Sequence, residues 1–114
     1  MTRVLVVEDD AFIAMDLELA LMSSGYDVAG PAKSVADGLA VLASETVDGA
    51  LVDLNLGEER SDALADRLAS DCIPFLFLTG YSSEALPPAH RDRPIHSKPF
   101  KEKELLALLA RICR

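Results

Sequence analysis

Residues 3–10 read Arg-Val-Leu-Val-Val-Glu-Asp-Asp, a short β-branched apolar run that stops at three acidic side chains. An apolar run of this length without alternating polar residues is typical of a strand buried on both faces of a sheet. We therefore predict a strand over residues 3–7, with Glu8, Asp9 and Asp10 at its carboxyl end. Asp10 is expected to cap the helix that follows.

The segment after this strand has the spacing of an amphipathic helix. Ile13, Leu17, Ala20 and Leu21 recur at i, i+4, i+7 and i+8, and Gly25 supplies a stop. Strand one is thus followed by a first helix.

The rest of the chain repeats this alternation of strand and helix. Short apolar runs predict strands, and apolar residues at helical spacing predict the helices between them. The predicted strands are a brief one near Asp27–Ala29 that ends at Gly30-Pro31, then residues 49–54, 74–78 and 95–97. The predicted helical faces are Val35, Leu39 and Leu42, opened by a capping box of Ser34 and Asp37, then Leu64, Ala65 and Leu68, and finally Leu105, Leu108, Leu109 and Ile112.

Two connections depart from this regular pattern. Residues 57–62 are polar and are expected to form a loop. Between residues 79 and 94, Pro87-Pro88 and the charged residues that follow disfavour a full-length helix. We predict a shortened or irregular fourth helix there. His90 lies in this polar stretch and His96 in the last predicted strand.

Strands that alternate with helices predict an α/β fold with a doubly wound parallel sheet, because parallel neighbours need crossover connections. The chain has 114 residues, which is the size of one domain, so we expect a single domain over residues 1–114. In open sheets of this kind, sites form outside the carboxyl ends of the strands.

Composition excludes several classes of function. The formal net charge of -8 argues against nucleic-acid binding and favours proteins or cations as partners. No apolar run approaches the length of about 20 residues that spans a bilayer, and from the first residues we expect no export leader. Cys72 and Cys113 are too far apart in sequence for a zinc or redox pair, so we expect free thiols and a cytoplasmic protein.

Polar residues end four of the predicted strands. Glu8 and Asp9 follow the first strand, Asp53 ends the third, Thr79 follows the fourth and Lys98 follows the fifth. Crowded carboxylates repel one another unless a cation relieves them, and oxygen ligands suit Mg²⁺. Asp53 is the best candidate for a nucleophile toward phosphorus, because the strand that it ends is the middle one of the five in sequence.

These residues resemble the receiver domain of two-component response regulators. The resemblance rests, in order, on Val-Leu-Val-Val-Glu8-Asp9-Asp10, Val-Asp53-Leu-Asn-Leu-Gly57, Thr79-Gly80-Tyr81 and Lys98-Pro99-Phe100. It covers essentially the whole chain. It implies a flavodoxin-like fold with strand order 2-1-3-4-5.

The resemblance also implies roles for the acidic residues. Asp53 is expected to be the phosphoacceptor. Glu8, Asp9 and Asp53 are expected to hold Mg²⁺ together with the backbone carbonyl of Asn55. Such a protein is not an enzyme in the ordinary sense, because it catalyses only its own phosphorylation and dephosphorylation.

Further expectations concern the phosphoryl group and the partners. Thr79 and Lys98 would contact phosphoryl oxygens, and the bond before Pro99 is expected to be cis. The donor would be a sensor histidine kinase or a phosphotransfer protein. The signal would leave through a downstream protein partner, or the domain would act as a phosphate sink.

Residues 74–81 are similar to a subgroup of receivers named for a Phe-Ala-Thr-Gly-Tyr signature, with Leu78 in place of Ala. That subgroup is often linked to kinases of the HWE or a related type. Ile95 and Gly80 stand where most receivers have an aromatic switch residue and a small residue. Tyr81 beside the site is then either a gate or reporter, or a packing residue. A further hypothesis is that phosphorylation orders the segment 80–94.

Two other functions use related features. A haloacid-dehalogenase-like phosphatase also has a strand-end Asp nucleophile with Mg²⁺, but it expects a second Asp where this chain has Asn55. A pseudo-receiver would act as a phosphorylation-independent interaction module. A nucleotide or flavin binder would need a Gly-rich or hydroxyl-rich loop after the first strand, and Glu8-Asp9-Asp10-Ala11 is the opposite in charge.

Overall fold

The computed structural model describes residues 2–57, 59–79, 86–90, 92–97 and 101–113. Seven strands and four α-helices lie within these ranges. In chain order they are β1 (Arg3–Val7), α1 (Ala11–Ser23), β2 (Asp27–Ala32), α2 (Val35–Ser44), β3 (Gly49–Asp53), β4 (Asn55–Leu56), β5 (Glu59–Arg60), α3 (Asp62–Ser70), β6 (Phe75–Thr79), β7 (Ile95–Ser97) and α4 (Glu102–Ile112).

Five of the strands form one parallel sheet in the order β2-β1-β3-β6-β7. This is the flavodoxin-like order 2-1-3-4-5 once the short β4 and β5 are set aside, so the predicted fold class is confirmed. β3 is the central strand of the sheet. Its carboxyl end therefore lies at the middle of the edge where sites of this fold form.

The two faces of the sheet carry separate apolar clusters, because successive side chains of a strand point to opposite sides. Val4 and Val6 of β1 pack with Leu17 of α1 and Leu105 of α4 on one face. The other face carries Leu5 and Val7, which pack with residues of α2 and α3. Fully buried members of that second cluster include Leu54, Leu64, Leu68 and Phe77. Burial on both faces is the reason that the strands read as continuous apolar runs.

Both predicted helix caps are present. The Asp10 carboxylate accepts hydrogen bonds from the backbone N–H groups of Phe12, at 2.9 Å, and Ile13, at 3.2 Å. The Ser34 hydroxyl accepts a bond from the N–H of Asp37 at 3.1 Å. These bonds satisfy N–H groups that have no partner within a helix.

The predicted end of β2 was wrong. The strand does not stop at Gly30-Pro31 but runs on to Ala32. Gly30 has φ +91°, and the pairing with β1 shifts there, from Leu5 opposite Ala29 to Val7 opposite Ala32. A glycine can adopt this left-handed conformation without strain, so the strand continues through an irregularity rather than ending.

The predicted polar loop at residues 57–62 was also wrong in part. β4 and β5 pair antiparallel as a small hairpin, with Asn55 opposite Arg60 and Leu56 opposite Glu59. Gly57 lies in its turn with φ +67°. The hairpin starts directly after β3 and thus lies at the edge of the sheet that the acidic residues share.

The connection between β6 and β7 is only partly described. Among residues 86–97 the structure has a 3₁₀ turn at Pro88–His90, in line with the predicted irregular helix, while residues 80–85 fall outside the described ranges. His90 is not in a polar environment as expected. It is 4% exposed, its Nε2 lies 2.7 Å from Oδ1 of Asp66, and its ring packs against Phe75.

The edge of the sheet opposite the acidic residues is held by Arg3. Its guanidinium binds the carboxylates of Asp27, at 2.7 Å, and Glu45, at 2.9 Å. The backbone N–H of Arg3 donates a hydrogen bond to the carboxylate of Asp48 at 2.8 Å. The hydrogen bond from Arg3 to Asp27 and the negative charge of Asp27 raise the pKa of Arg3.

Cys72, which is exposed, precedes β6 on this same side. Within the described ranges, every helix is too short or too polar to cross a bilayer.

Candidate functional site

Three carboxylates meet at the carboxyl edge of the sheet. Glu8, Asp9 and Asp53 each offer a ligand oxygen, and these oxygens lie within 4.8 Å of one another. Glu8 is 1% exposed and Asp53 is 4% exposed, whereas Asp9 is exposed to solvent. The cluster, which we call the acidic pocket, therefore has two buried carboxylates and one that is open to solvent.

The register of the sheet brings these residues together. Val7 of β1 lies opposite Val52 of β3, so Glu8 and Asp53 follow side by side as the two strands end. The backbone N–H of Glu8 donates to the carbonyl of Ala32 at 2.9 Å, which fixes the chain at this point. The carboxylate of Glu8 accepts a bond from the N–H of Asp10 at 3.2 Å.

Asp53 is held from the chain that follows it. Its Oδ1 accepts a hydrogen bond from the N–H of Asn55 at 3.3 Å. The next residue, Leu54, donates its N–H to the carbonyl of Leu78 at 3.0 Å and is fully buried. The carboxylate thus sits on a backbone that packing and pairing hold in place.

The hairpin after β3 was missed by the sequence reasoning, although it supports the acidic pocket. Ser61 is fully buried, and both its N–H and its hydroxyl donate to the carbonyl of Leu54 at 3.1 Å. Glu59 reaches across to α2, where its carboxylate accepts a bond from the N–H of Val35 at 2.9 Å. The signal in the sequence was Gly57, a turn residue four positions before a serine.

Thr79 lies where the spacing predicted. It is the last residue of β6 and is 2% exposed. Asp53 lies opposite Leu78 in the register of β3 and β6, so Thr79 is one position further toward the carboxyl edge. The predicted site residues Lys98, Gly80 and Tyr81 fall outside the described ranges, as does the predicted cis bond at Pro99.

The segment that carries Lys98 is flanked by a buried histidine. His96 in β7 is 3% exposed, and its Nε2 accepts a hydrogen bond from the N–H of Lys101 at 2.9 Å. Burial lowers the pKa of His96, with a smaller opposing effect of Glu104. An Nε2 atom that accepts a hydrogen bond belongs to a neutral imidazole with its proton on Nδ1.

The three carboxylates offer the kind of ligand oxygens that a hard cation takes. Two charged carboxylate oxygens within 4.8 Å of each other repel by at least about 3.5 kcal/mol at an effective dielectric constant of about 20. A divalent cation relieves this repulsion, and ligand sets made of oxygen alone suit Mg²⁺ better than zinc or copper. The carboxylate oxygens of Glu8, Asp9 and Asp53 make up such a set, and the Asn55 carbonyl stays a predicted fourth ligand.

Helix α1 carries a second apolar face that points away from the core. Phe12 is 77% exposed, Met22 is 59% exposed, and Met15 and Leu19 are at least half exposed. These residues follow one another at intervals of three, four and three, which places them on one side of the helix. Only the buried face of this helix was predicted from the sequence. The exposed one begins three residues after Asp9.

Comparisons with known proteins agree with this architecture. The structure superimposes on SdrG from Sphingomonas melonis Fr1 with a TM-score of 0.85 and 38% identity, covering 98% of this chain and 96% of SdrG. The sequence is 30% identical to PhyR, a phyllosphere-induced regulator of Methylorubrum extorquens, over 96% of this chain and 42% of PhyR. It also resembles the anti-anti-sigma factor PhyR from Bartonella quintana, at 30% identity and a TM-score of 0.83, over 97% of this chain and 46% of that one.

This chain spans less than half the length of either PhyR protein. The match is therefore to one region of those proteins and not to the whole of them. The model of the response regulator receiver domain matches residues 4–110 of this chain. Residues 4–110 include every strand of the parallel sheet except the first residue of β1, and the chain belongs to the response regulator receiver domain family.

Proposed function

We propose that this chain is a phosphoacceptor receiver that takes a phosphoryl group onto Asp53 from a protein donor, with Mg²⁺ bound beside it. The observation that carries the proposal is the position of Asp53. It is a buried carboxylate at the end of the central strand, and it shares its pocket with two further carboxylates. A structural role alone gives no reason to place three like charges so close together.

Glu8, Asp9, Asp53 and the carbonyl of Asn55 would hold the metal ion. A bound Mg²⁺ supplies positive charge that offsets both the carboxylates and the oxygens of a transferring phosphoryl group. The oxygen-only donor set fits this ion, and Asp9 faces solvent, so that waters and a phosphoryl group can reach the same place.

The proposed reaction is an in-line displacement at phosphorus. A carboxylate oxygen of Asp53 attacks the phosphorus atom of a phosphohistidine on the donor. The bond between phosphorus and the imidazole nitrogen breaks, and its electron pair stays with that nitrogen, which takes up a proton. The product is an acyl phosphate on Asp53. Attack by water on this group later yields inorganic phosphate and restores the carboxylate.

Other residues of the chain would serve the phosphoryl group. Thr79 ends the strand next to β3 and would donate its hydroxyl to a phosphoryl oxygen, and Lys98 would supply a positive charge. The cis bond at Pro99 stays a prediction. In this proposal the chain catalyses only its own phosphorylation and dephosphorylation, as expected of a signalling protein.

The donor is proposed to be a sensor histidine kinase, of the HWE or a related type, or a phosphotransfer protein. The exposed apolar face of α1 supports a protein donor, since large exposed apolar patches mark protein interfaces. Both cysteines are free, as expected of a protein that functions in the reducing cytoplasm. The net charge of -8 remains an argument against nucleic acid as a partner.

The output is proposed to be a protein contact, with a phosphate sink as the variant that needs no partner. The relative from Bartonella quintana is an anti-anti-sigma factor, a function exerted on other proteins. The placement in the Phe-Ala-Thr-Gly-Tyr subgroup, the role of Tyr81 and Gly80, and the ordering of residues 80–94 on phosphorylation stay predictions. Amide exchange over residues 80–94 with and without a phosphoryl mimic tests the last one.

The direct test is incorporation of label from a small acyl phosphate in the presence of Mg²⁺. Wild type is expected to take up about one phosphoryl group per chain, and Asp53→Asn is expected to take up none. Asp16→Asn, which removes an exposed carboxylate of α1, is the matched control and should label like wild type. Equal labelling of wild type and Asp53→Asn would overturn the assignment of the acceptor. A wild type without label would leave an interaction module as the function.

A further inference from the structure

The hairpin of β4 and β5 touches the acidic pocket at two places. Asn55, in β4, donates its N–H to Asp53. Gly57, in the turn, lies against Asp9, since a Cβ atom on this glycine would be 3.7 Å from Oδ2 of Asp9. The position of the hairpin therefore sets the position of backbone groups around two of the three carboxylates.

The hairpin is too short to hold itself in place. Each of its strands has two residues, and isolated two-stranded hairpins are marginal in water. Its first strand is anchored by the buried side chain of Leu56, which is 5% exposed, and its end by the bonds of Ser61 to Leu54. The outer strand β5 has exposed side chains, and there the bond from the N–H of Val35 to Glu59 attaches it to the body of the domain.

This bond is made at a favourable place. Val35 is the first residue of α2, and the cap residue Ser34 already serves another N–H group, that of Asp37. The N–H of Val35 has no partner within the helix. It lies at the N-terminus of α2, which is the positive end of the helix dipole, and a carboxylate is favoured there. Glu59 lies 24 residues further along the chain, so the bond links two separate parts of the fold.

We propose that Glu59 is a positioning residue for the metal site: it ties β5 to α2 and so holds Asn55 and Gly57 in place around Asp53 and Asp9. This inference rests on the proposed function, because it concerns the same site. Glu59 itself does not belong to the acidic cluster. Its effect is transmitted through the backbone pairing of Asn55 with Arg60, the residue after Glu59.

Three variants separate positioning from charge. Glu59→Ala removes the tie and one negative charge. Glu59→Gln removes the charge but keeps an amide oxygen that can accept the bond from Val35. Asp37→Asn removes a charge from the same first turn of α2 and keeps the tie. If only the charge near the pocket matters, all three variants should weaken cation binding to a similar degree.

The experiment measures Mg²⁺ binding by calorimetry and the dependence of acyl phosphate labelling on Mg²⁺ concentration. For Glu59→Ala we expect affinity to fall about tenfold, at the lower end of losses seen when groups that orient metal ligands are removed. The Mg²⁺ concentration for half-maximal labelling should rise equally, while the rate at saturating Mg²⁺ stays near that of wild type. Glu59→Gln should stay within about twofold of wild type because it can still accept the bond, and Asp37→Asn should behave like wild type.

Thermal unfolding without metal identifies the fraction of each variant that is folded, so a loss of folding is not mistaken for a loss of binding. Unchanged Mg²⁺ affinity in folded Glu59→Ala would overturn the inference and leave the proposed function intact. A fall of equal size in all three variants would also overturn it, in favour of simple charge. Wild type that neither binds Mg²⁺ nor labels would instead overturn the proposed function.

Discussion

Replacing Asp53 by Asn should make the metal-free protein more stable. The buried carboxylates of Glu8 and Asp53 have ligand oxygens within 4.8 Å of each other. At an effective dielectric constant of about 20, this separation corresponds to a repulsion of at least about 3.5 kcal/mol. Hydrogen bonds from backbone N–H groups to each carboxylate offset part of it. We therefore expect a net gain of about 1–2 kcal/mol in the free energy of unfolding.

Such a gain corresponds to a rise in Tm of about 4–8 °C for a domain of this size. The assay is thermal and urea unfolding followed by circular dichroism, with and without Mg²⁺. Wild type should gain about 2.7 kcal/mol when Mg²⁺ is present at about 100 times its Kd, because the ion binds only the folded state. Asp53→Asn should gain much less, so that Mg²⁺ reduces or reverses the difference in the free energy of unfolding between the two proteins.

The exposed Asp16 provides the control, since Asp16→Asn should change neither the metal-free stability nor the response to Mg²⁺. A metal-free Asp53→Asn protein that is less stable than wild type would refute the reasoning. It would mean that local hydrogen bonds stabilise the carboxylate by more than its neighbours repel it. Repulsion between the carboxylates of the acidic pocket would then be no reason to expect a bound cation.

Three further variants test the packing around the sheet. Gly49→Ala should destabilise the fold, because its Cβ would overlap Sγ of Cys113, and the double variant with Cys113→Ala should recover most of the loss in urea unfolding. His96→Gln should flatten the fall in Tm between pH 7.5 and 5.5. Burial lowers the pKa of His96, so the unfolded chain binds a proton there first, and stability drops as pH falls below about 6.5. His90→Ala should cost about 2 kcal/mol in urea unfolding, from the lost ring packing and the lost bond to Asp66.

The parallel sheet could be predicted because its strands are buried on both faces. The runs at 3–7, 49–54 and 74–78 are mostly apolar, and in a short chain such runs between helical segments are characteristic of a parallel sheet. The ends of the strands were less certain. β2 continues past Gly30-Pro31 because Gly30 adopts a positive φ at the point where the pairing with β1 shifts. In the sequence, a Gly-Pro pair is typical of a turn and does not indicate that the strand continues.

The acidic pocket could be located for a different reason. Parallel strands bring their carboxyl ends to one edge, so residues that follow separate strands must converge there. The geometry does bring Glu8, Asp9 and Asp53 together. For the hairpin that supports them the sequence offered only Gly57 as the sign of a turn, because two-residue strands carry no periodicity. Its ties, from Ser61 to Leu54 and from Glu59 to Val35, depend on the tertiary fold.

The environment of His90 shows a similar limit. The charged and proline-rich sequence around it is typical of a solvated loop. The ring is nevertheless buried against Phe75, because a hydrogen bond to Asp66 satisfies its Nε2 atom. A histidine whose ring nitrogen has a polar partner can pack in the core much as phenylalanine does. The partner here, Asp66, lies on α3, and its position cannot be inferred from the sequence around His90.

The exposed Cys72 offers a practical handle for spectroscopy. It precedes β6, on the side of the sheet that Arg3 ties together, while the acidic pocket lies at the other ends of the strands. Cys113 is half-buried, and burial raises the pKa of its thiol, which makes it the slower of the two to react. A thiol-reactive fluorophore at moderate pH should therefore modify Cys72 first. The label would follow tumbling and association with partners in real time without occupying the pocket.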